Sequence, residues 1–242
     1  MNDRCQIIQF GADMNLASNS MVLRPMEPSP AAWRGLFAVA LDELATLVAP
    51  KTIVYCEGRD TPGIGGLERG MDAKVLNAIF NSTKPETLFI SSGGNTELDQ
   101  RSAVAIAILG KVFPNIEIHV FKDRDMASGK QADENDRQIY LKTNPNNHRV
   151  MKRFEIENYL YDKEVLEAYC SENHLSLDGD AYDTAIDDVV NQNLKDMTGK
   201  IKSICGIRGS VNPESFKVAL AHCVTPEMAV DKELYACIFD RE

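Results

Sequence analysis

The 242-residue sequence predicts an α/β fold, a mainly parallel sheet flanked by helices with a helical C-terminal part. Two observations carry this. Short apolar runs rich in β-branched residues alternate with longer stretches of helical period, the pattern of successive βα units. With 44% apolar and 26% charged residues, the composition is that of a folded globular chain. The length suits one large domain or a core with appendages.

In chain order, strands are expected at Cys5–Phe10 and Met21–Leu23, and Pro25, Pro28 and Pro30 then break the chain before a helix over Ala31–Val48. Strand Thr52–Cys56 is followed by helix Met71–Asn81 and strand Thr87–Ser91. In the next helix, Leu98–Phe113, Ala103, Val104, Ala107, Ile108 and Val112 recur at three-to-four spacing as a face to be buried. Strand Ile116–Phe121 leads into a long polar excursion, residues 123–148, and then a short strand at Arg149–Lys152. Helices Lys163–Asn173, Ala181–Met197 and Pro213–His222 complete the pattern. This divides the chain into an N-terminal segment (1–50), a core (51–161) and a helical extension of the same domain (162–242).

Several classes are excluded. A net charge of −10 argues against a chain that coats nucleic acid by bulk charge, though not against an enzyme that sets metal ions between its carboxylates and a phosphate. The six cysteines form no C-x-x-C pair and no secretory signal opens the chain, so disulfides and zinc ribbons are not expected and a reducing cytosol is. The four histidines make no zinc-hydrolase motif, and no apolar run reaches the roughly 18 residues of a membrane-spanning helix. Trp33, His119 and Met126 read as packing residues.

Three acidic groupings stand where chemistry would be placed. Ile53-Val54-Tyr55-Cys56 runs into Glu57-Gly58, Ile118-His119-Val120-Phe121 into Asp123-Arg124-Asp125, and Arg153-Phe154 into Glu155-Ile156-Glu157. Acidic residues at i, i+2 point to one side of an extended chain, and all strands of a parallel sheet end on one edge, where ligands bind. Carboxylates gathered there raise one another's pKa. Mg²⁺ or Mn²⁺ relieves the repulsion, and two such ions about 4 Å apart would clamp the attacking and leaving oxygens of a phosphodiester. An isolated acidic pair is common on a solvated loop; the ordered recurrence after apolar β runs is what points to a metal site.

These residues resemble the TOPRIM fold, and within it the OLD (overcoming-lysogenisation-defect) nucleases and their solitary relatives. The matching features are Glu57-Gly58, Asp72 at the start of a helical pattern, Phe89-Ile90-Ser91-Ser92-Gly93-Gly94, Asp123-Arg124-Asp125, and Arg153-Phe154-Glu155-Ile156-Glu157-Asn158-Tyr159-Leu160, together covering Lys51 to Tyr161. The resemblance implies a Rossmann-like sheet and a cytoplasmic, metal-dependent endonuclease acting on DNA, with a role in anti-phage defence. By position it implies Glu57 as metal ligand or general base, Asp72, Asp123 and Asp125 as Mg²⁺ ligands, and Glu157 with Glu155 at a second metal position. Asn158 and Tyr159 would anchor the local backbone. A downstream lysine assists the leaving group in such enzymes; Lys200 is the candidate and Lys202 the alternate.

The sequence departs from that pattern in one place. Residues 59–70 (RDTPGIGGLERG) separate Glu57-Gly58 from Asp72, so Asp60 competes for the second ligand position; Asp72 is preferred because it opens the helical pattern. Residues 5–13 bear a fainter resemblance to the end of an ABC-type ATPase, but the switch histidine position reads Ala12 and no Walker A motif exists, so ATP hydrolysis is not expected. A fragment, a degenerate relative, and a subunit serving a separate ABC-type ATPase stay open as readings. Two other functions compete with the nuclease: a haloacid-dehalogenase-like phosphatase with Asp123 as nucleophile and Asp187-Asp188 as the late acidic pair, and a non-catalytic module docking on an ATPase. The negative charge itself is local. Residues 155–190 carry eleven acidic side chains against Lys163, while Lys200, Lys202, Arg208 and Lys217 against Glu214 make a basic stretch that could meet a phosphate backbone.

Overall fold

The computed structural model describes residues 50–59, 63, 67–112, 115–124 and 136–241, all within the compact unit Pro50–Glu242. The elements expected before residue 50 lie outside the described residues, as do Asp60 and Asp125. The architecture is α/β, as the alternation predicts. β1 (Thr52–Cys56), α1 (Met71–Phe80), β2 (Thr87–Ser91), α2 (Asn95–Val112), β3 (Glu117–Lys122), α3 (Asp136–Thr143) and β4 (His148–Val150) form a four-stranded parallel sheet of order β2-β1-β3-β4 with its crossovers. Thr52 pairs with Thr87 on one side and Glu117 on the other, and Val120 pairs with His148.

The local reasons are visible residue by residue. Val54 and Cys56 are fully buried, as a strand inside a parallel sheet requires. Helix α1 buries Ala73, Val75, Leu76, Ile79 and Phe80. Its Asn77 clamps β2: the side-chain amide donates to Phe89 O at 2.8 Å and its oxygen accepts from Phe89 N at 3.1 Å. On α2 the outcome differs from expectation. Leu98 and Ser102 are buried, but Ala103, Val104, Ala107 and Ile108 of the face expected to be covered are exposed, Val104 and Ile108 at 57% each.

The chain continues with α4 (Ile156–Leu160), α5 (Lys163–Glu172), α6 (Gly179–Ala185), a 3₁₀ turn (Lys195–Met197), α7 (Thr198–Ile204), α8 (Pro213–Cys223), α9 (Ala229–Tyr235) and a π-helical turn (Ala236–Asp240). The single helix expected over Ala181–Met197 is a correction: α6 stops at Ala185 and Ile186 is extended. The Asp188 carboxylate then accepts from Val190 N at 2.9 Å and Asn191 N at 3.0 Å, a local turn that competes with helix. Helix α3 occupies part of what read as a polar loop. Asp162, Asp178 and Asn212 cap α5, α6 and α8 by accepting from backbone N–H groups of the first turn.

Helix α8 lies against α1, α5 and α4, so the C-terminal helices and α1 share one core with Val54, Phe89 and Phe121. That core fixes the sheet to the helices that carry the site. Leu76 has no exposed surface, and Leu76→Ala is expected to cost about 2–5 kcal/mol, measured by denaturant unfolding.

Candidate active site at the carboxyl edge of the sheet

The strand order places a switch point between β1 and β3: the chain leaves β1 toward β2 on one side and returns to β3 on the other. A crevice opens at the carboxyl ends of such a pair. Cys56 pairs with Phe121, Glu57 follows one residue beyond, and Asp123 lies two beyond on the neighbouring strand. The backbone then turns at once. Gly58 has φ +137° and exchanges backbone hydrogen bonds with Gly93 (3.1 and 2.9 Å), tying the end of β1 to the turn after β2.

Glu68 fixes the return path. Its carboxylate accepts from Arg69 N and Gly70 N, both at 2.6 Å, and from Ser91 N at 2.8 Å, so the residues before α1 are bound to the end of β2. Gly70 packs so closely that a Cβ there would stand 1.5 Å from Ser91 Oγ. Asp72 follows in the first turn of α1, where the helix dipole favours a negative charge. Its carboxyl is nevertheless pushed up to about 7. Desolvation is the largest cause, the charges of Glu157 and Glu57 add to it, and Lys195 and Lys217 oppose it. The buried Cys56 thiol is raised by burial and then by Asp72, Glu68 and Asp123, which places Asp123 in the same negative field.

Glu157 reaches the group from α4, a short helix set by its own caps. Glu155 is the N-cap of a capping box with Asn158, and its Oε1 also accepts from Leu194 N at 3.0 Å. The fully buried Asn158 donates to Val189 O and Gln192 O, each at 2.8 Å, and accepts from Glu155 N at 3.1 Å. The Tyr159 hydroxyl accepts from Lys152 N and Arg153 N at 3.0 and 3.1 Å. Buried Arg153 donates to Asp162 at 2.6 Å, Glu233 at 3.2 Å and Asn158 O at 2.9 Å. On this frame Glu157, 5% exposed, lies near enough to Asp72 for its charge to raise that carboxyl, and it receives a hydrogen bond from Lys217 Nζ on α8.

The structure thus brings together Glu57, Asp72 and Glu157, with Asp123 in the same field, and leaves other expected residues elsewhere. Glu155 is spent on capping and on Leu194, because α4 begins between the two glutamates and an i, i+2 pair that would align on a strand diverges on a helix. Lys200 is exposed on α7, and Lys202 donates to Val211 O at 2.8 Å. The cations acting on Asp72 are instead Lys195 and Lys217. Lys217 had a signal in the sequence, being the lone lysine of an otherwise uncharged-to-acidic helical pattern over residues 213–222. Glu68 and Arg124 were missed as well. Arg124, between the two aspartates, donates to Lys152 O at 2.8 Å and Asn191 Oδ1 at 2.9 Å and holds the turn after β3.

No protein-family model matches this chain. No curated protein matches it. Among solved structures it is similar to the C-terminal region of the Burkholderia pseudomallei OLD protein, at 16% identity and a TM-score of 0.39, over 79% of this chain and 98% of that one.

Among the described residues no three His, Cys, Asp or Glu side chains stand close enough to hold a metal ion as they are. The donor chemistry nonetheless suits a hard divalent cation: carboxylate oxygens only, with the Asp72 carboxyl pushed up to about 7 by burial and then by the charges of Glu157 and Glu57. No helix among them is long and apolar enough to cross a membrane.

A carboxyl raised from 3.8 to about 7 binds its proton more tightly in the folded state, so it favours folding at low pH and loses that contribution as pH rises from about 4 to about 7. In EDTA, Asp72→Asn is therefore expected to be more stable than the unsubstituted chain at pH 8, by about 1–3 kcal/mol, and to lose that advantage at pH 4. Thermal unfolding at the two pH values checks this. Asn158→Ala leaves one buried and two part-buried backbone groups without their partner and is expected to cost about 2–4 kcal/mol at either pH, read by urea unfolding.

Proposed function

We propose that this chain is a metal-dependent phosphodiesterase of the TOPRIM, OLD-like type that cuts DNA. The observation that carries the reading is that three acidic residues from separate elements act on one another: burial first, and then the charges of Glu157 and Glu57, raise Asp72 to about 7. Burial and the charges of Glu157 and Glu57 disfavour the ionised state of Asp72.

Glu57, Asp72, Asp123 and Glu157 would hold Mg²⁺ or Mn²⁺, and Asp125 belongs to the same motif although it lies outside the described residues. A divalent ion there supplies Lewis-acid polarisation of a phosphodiester and a second ion, where bound, clamps the opposite oxygen. The protein's own part is to fix Glu57 at a strand end beside an open turn, to carry Asp72 on a helix N-terminus, and to direct positive charge from Lys195 and Lys217 toward the same region. Lys217, and not Lys200, is the lysine paired with Glu157 and acting on Asp72. Of the late acidic pair Asp187-Asp188 that the phosphatase alternative needs, Asp188 is engaged by Val190 N, Asn191 N and the Asn191 side chain. An ABC-type ATPase partner and a part in anti-phage defence belong to this same reading.

The test is cleavage of supercoiled, duplex and single-stranded DNA in Mn²⁺ or Mg²⁺. Cleavage is expected, abolished by EDTA and reduced about 100-fold or more in Glu57→Ala and Asp123→Ala, while Lys200→Ala keeps near-full activity. An unsubstituted chain inert on all three DNAs in Mn²⁺ overturns the reading.

A further inference from the structure

The ion pair between Lys217 and Glu157 is unusual for its place. Both side chains are largely covered, 13% and 7% exposed, and the lysine lies among the carboxylates assigned above to a divalent cation. A buried carboxylate without a counter-charge is costly, so a chain without bound metal needs a cation here from its own sequence. Lysine is the residue suited to supply and withdraw one: a compact point charge on a flexible four-carbon stem.

We propose that Lys217 is a built-in surrogate cation that occupies the divalent ion's place against Glu157 and must swing away for the ion to bind. The inference rests on the metal reading above and adds to it a regulatory step within the same site. Two like charges a few ångströms apart repel by several kcal/mol at protein-like dielectric, so ammonium and divalent ion do not share Glu157. The backbone need not move. Helix α8 is held by its Asn212 cap and by buried Phe216 and Leu220, leaving only the lysine side chain to rotate. A landing point is at hand: Glu214, one turn earlier on α8, is exposed and only loosely paired with Lys74 at 3.6 Å.

The test uses Mn²⁺ alone, by calorimetry and thermal shift, on the full chain. Lys217→Met is expected to bind Mn²⁺ about 5–50-fold more tightly than the unsubstituted protein and to gain more thermal stability from it, whereas Lys217→Arg, which keeps the charge, stays within about threefold. In the unsubstituted protein, reductive methylation of Lys217 followed by mass spectrometry is expected to be slow in EDTA and to speed up on adding Mn²⁺; this measurement decides the matter even if Lys217→Met fails to fold. Equal or weaker Mn²⁺ binding in Lys217→Met, or a Lys217 equally protected with and without Mn²⁺, overturns the surrogate while leaving the metal site standing. An unsubstituted protein that binds no Mn²⁺ overturns the metal reading and the surrogate together.

Discussion

The burial of Asp72 beside the charges of Glu57 and Glu157 is the constraint around which the rest of the carboxyl edge is organised. Each comes from a different element, and each is placed by contacts that have nothing to do with its charge: Glu57 by a strand end and the Gly58–Gly93 bridge, Asp72 by α1 and the Glu68 brace, Glu157 by the capping box of α4. The fold therefore places together what electrostatics would push apart, and burial and the charges of Glu157 and Glu57 together hold the Asp72 carboxyl up at about 7. Lys195 and Lys217 reduce the cost without removing it.

The helical C-terminal part is what makes that possible. A four-stranded sheet with α1 alone would present Glu57, Asp72 and Asp123 to solvent, where water would screen them. Packing α8 on α1 and α4 desolvates the group and delivers both Glu157 and Lys217 to it. The Arg153 and Asn158 networks give α4 the stiffness to hold a buried glutamate in one place. Much of the acidity of residues 155–190 has a similarly local purpose. Asp162 and Asp178 cap helices, Asp183 pairs with Lys163, and Asp188 closes a turn.

The sheet was legible because period-two and buried β runs are strong local signals: Thr52–Cys56 and Thr87–Ser91 stand as read, and β3 and β4 shift by a residue or two. The place of Glu57 and Asp123 was legible because motif order along a parallel sheet translates directly into position at one edge, whereas Asp72 and Glu157 are carried on helices. What failed was tertiary. Nothing local distinguishes Glu155, which caps, from Glu157, which faces the site, because the difference is where α4 begins. Lys217 lies about 60 residues from the glutamate it meets, and only the packing of α8 brings them together. On α2 the apolar period was real, yet within the described residues Val104 and Ile108 are left uncovered.

The contact between Gly70 and Ser91 bears on how this edge can change in sequence. The position a Cβ would take at residue 70 is already filled by the serine hydroxyl, and Gly58, in a conformation open to glycine, closes the same corner. Residues 58, 70 and 91 therefore share one small volume, and none can be enlarged unless another gives way. In homologues these three positions should drift as a set, and a redesign that alters Glu57's neighbour for specificity must repack all three or lose the alignment of α1 that presents Asp72.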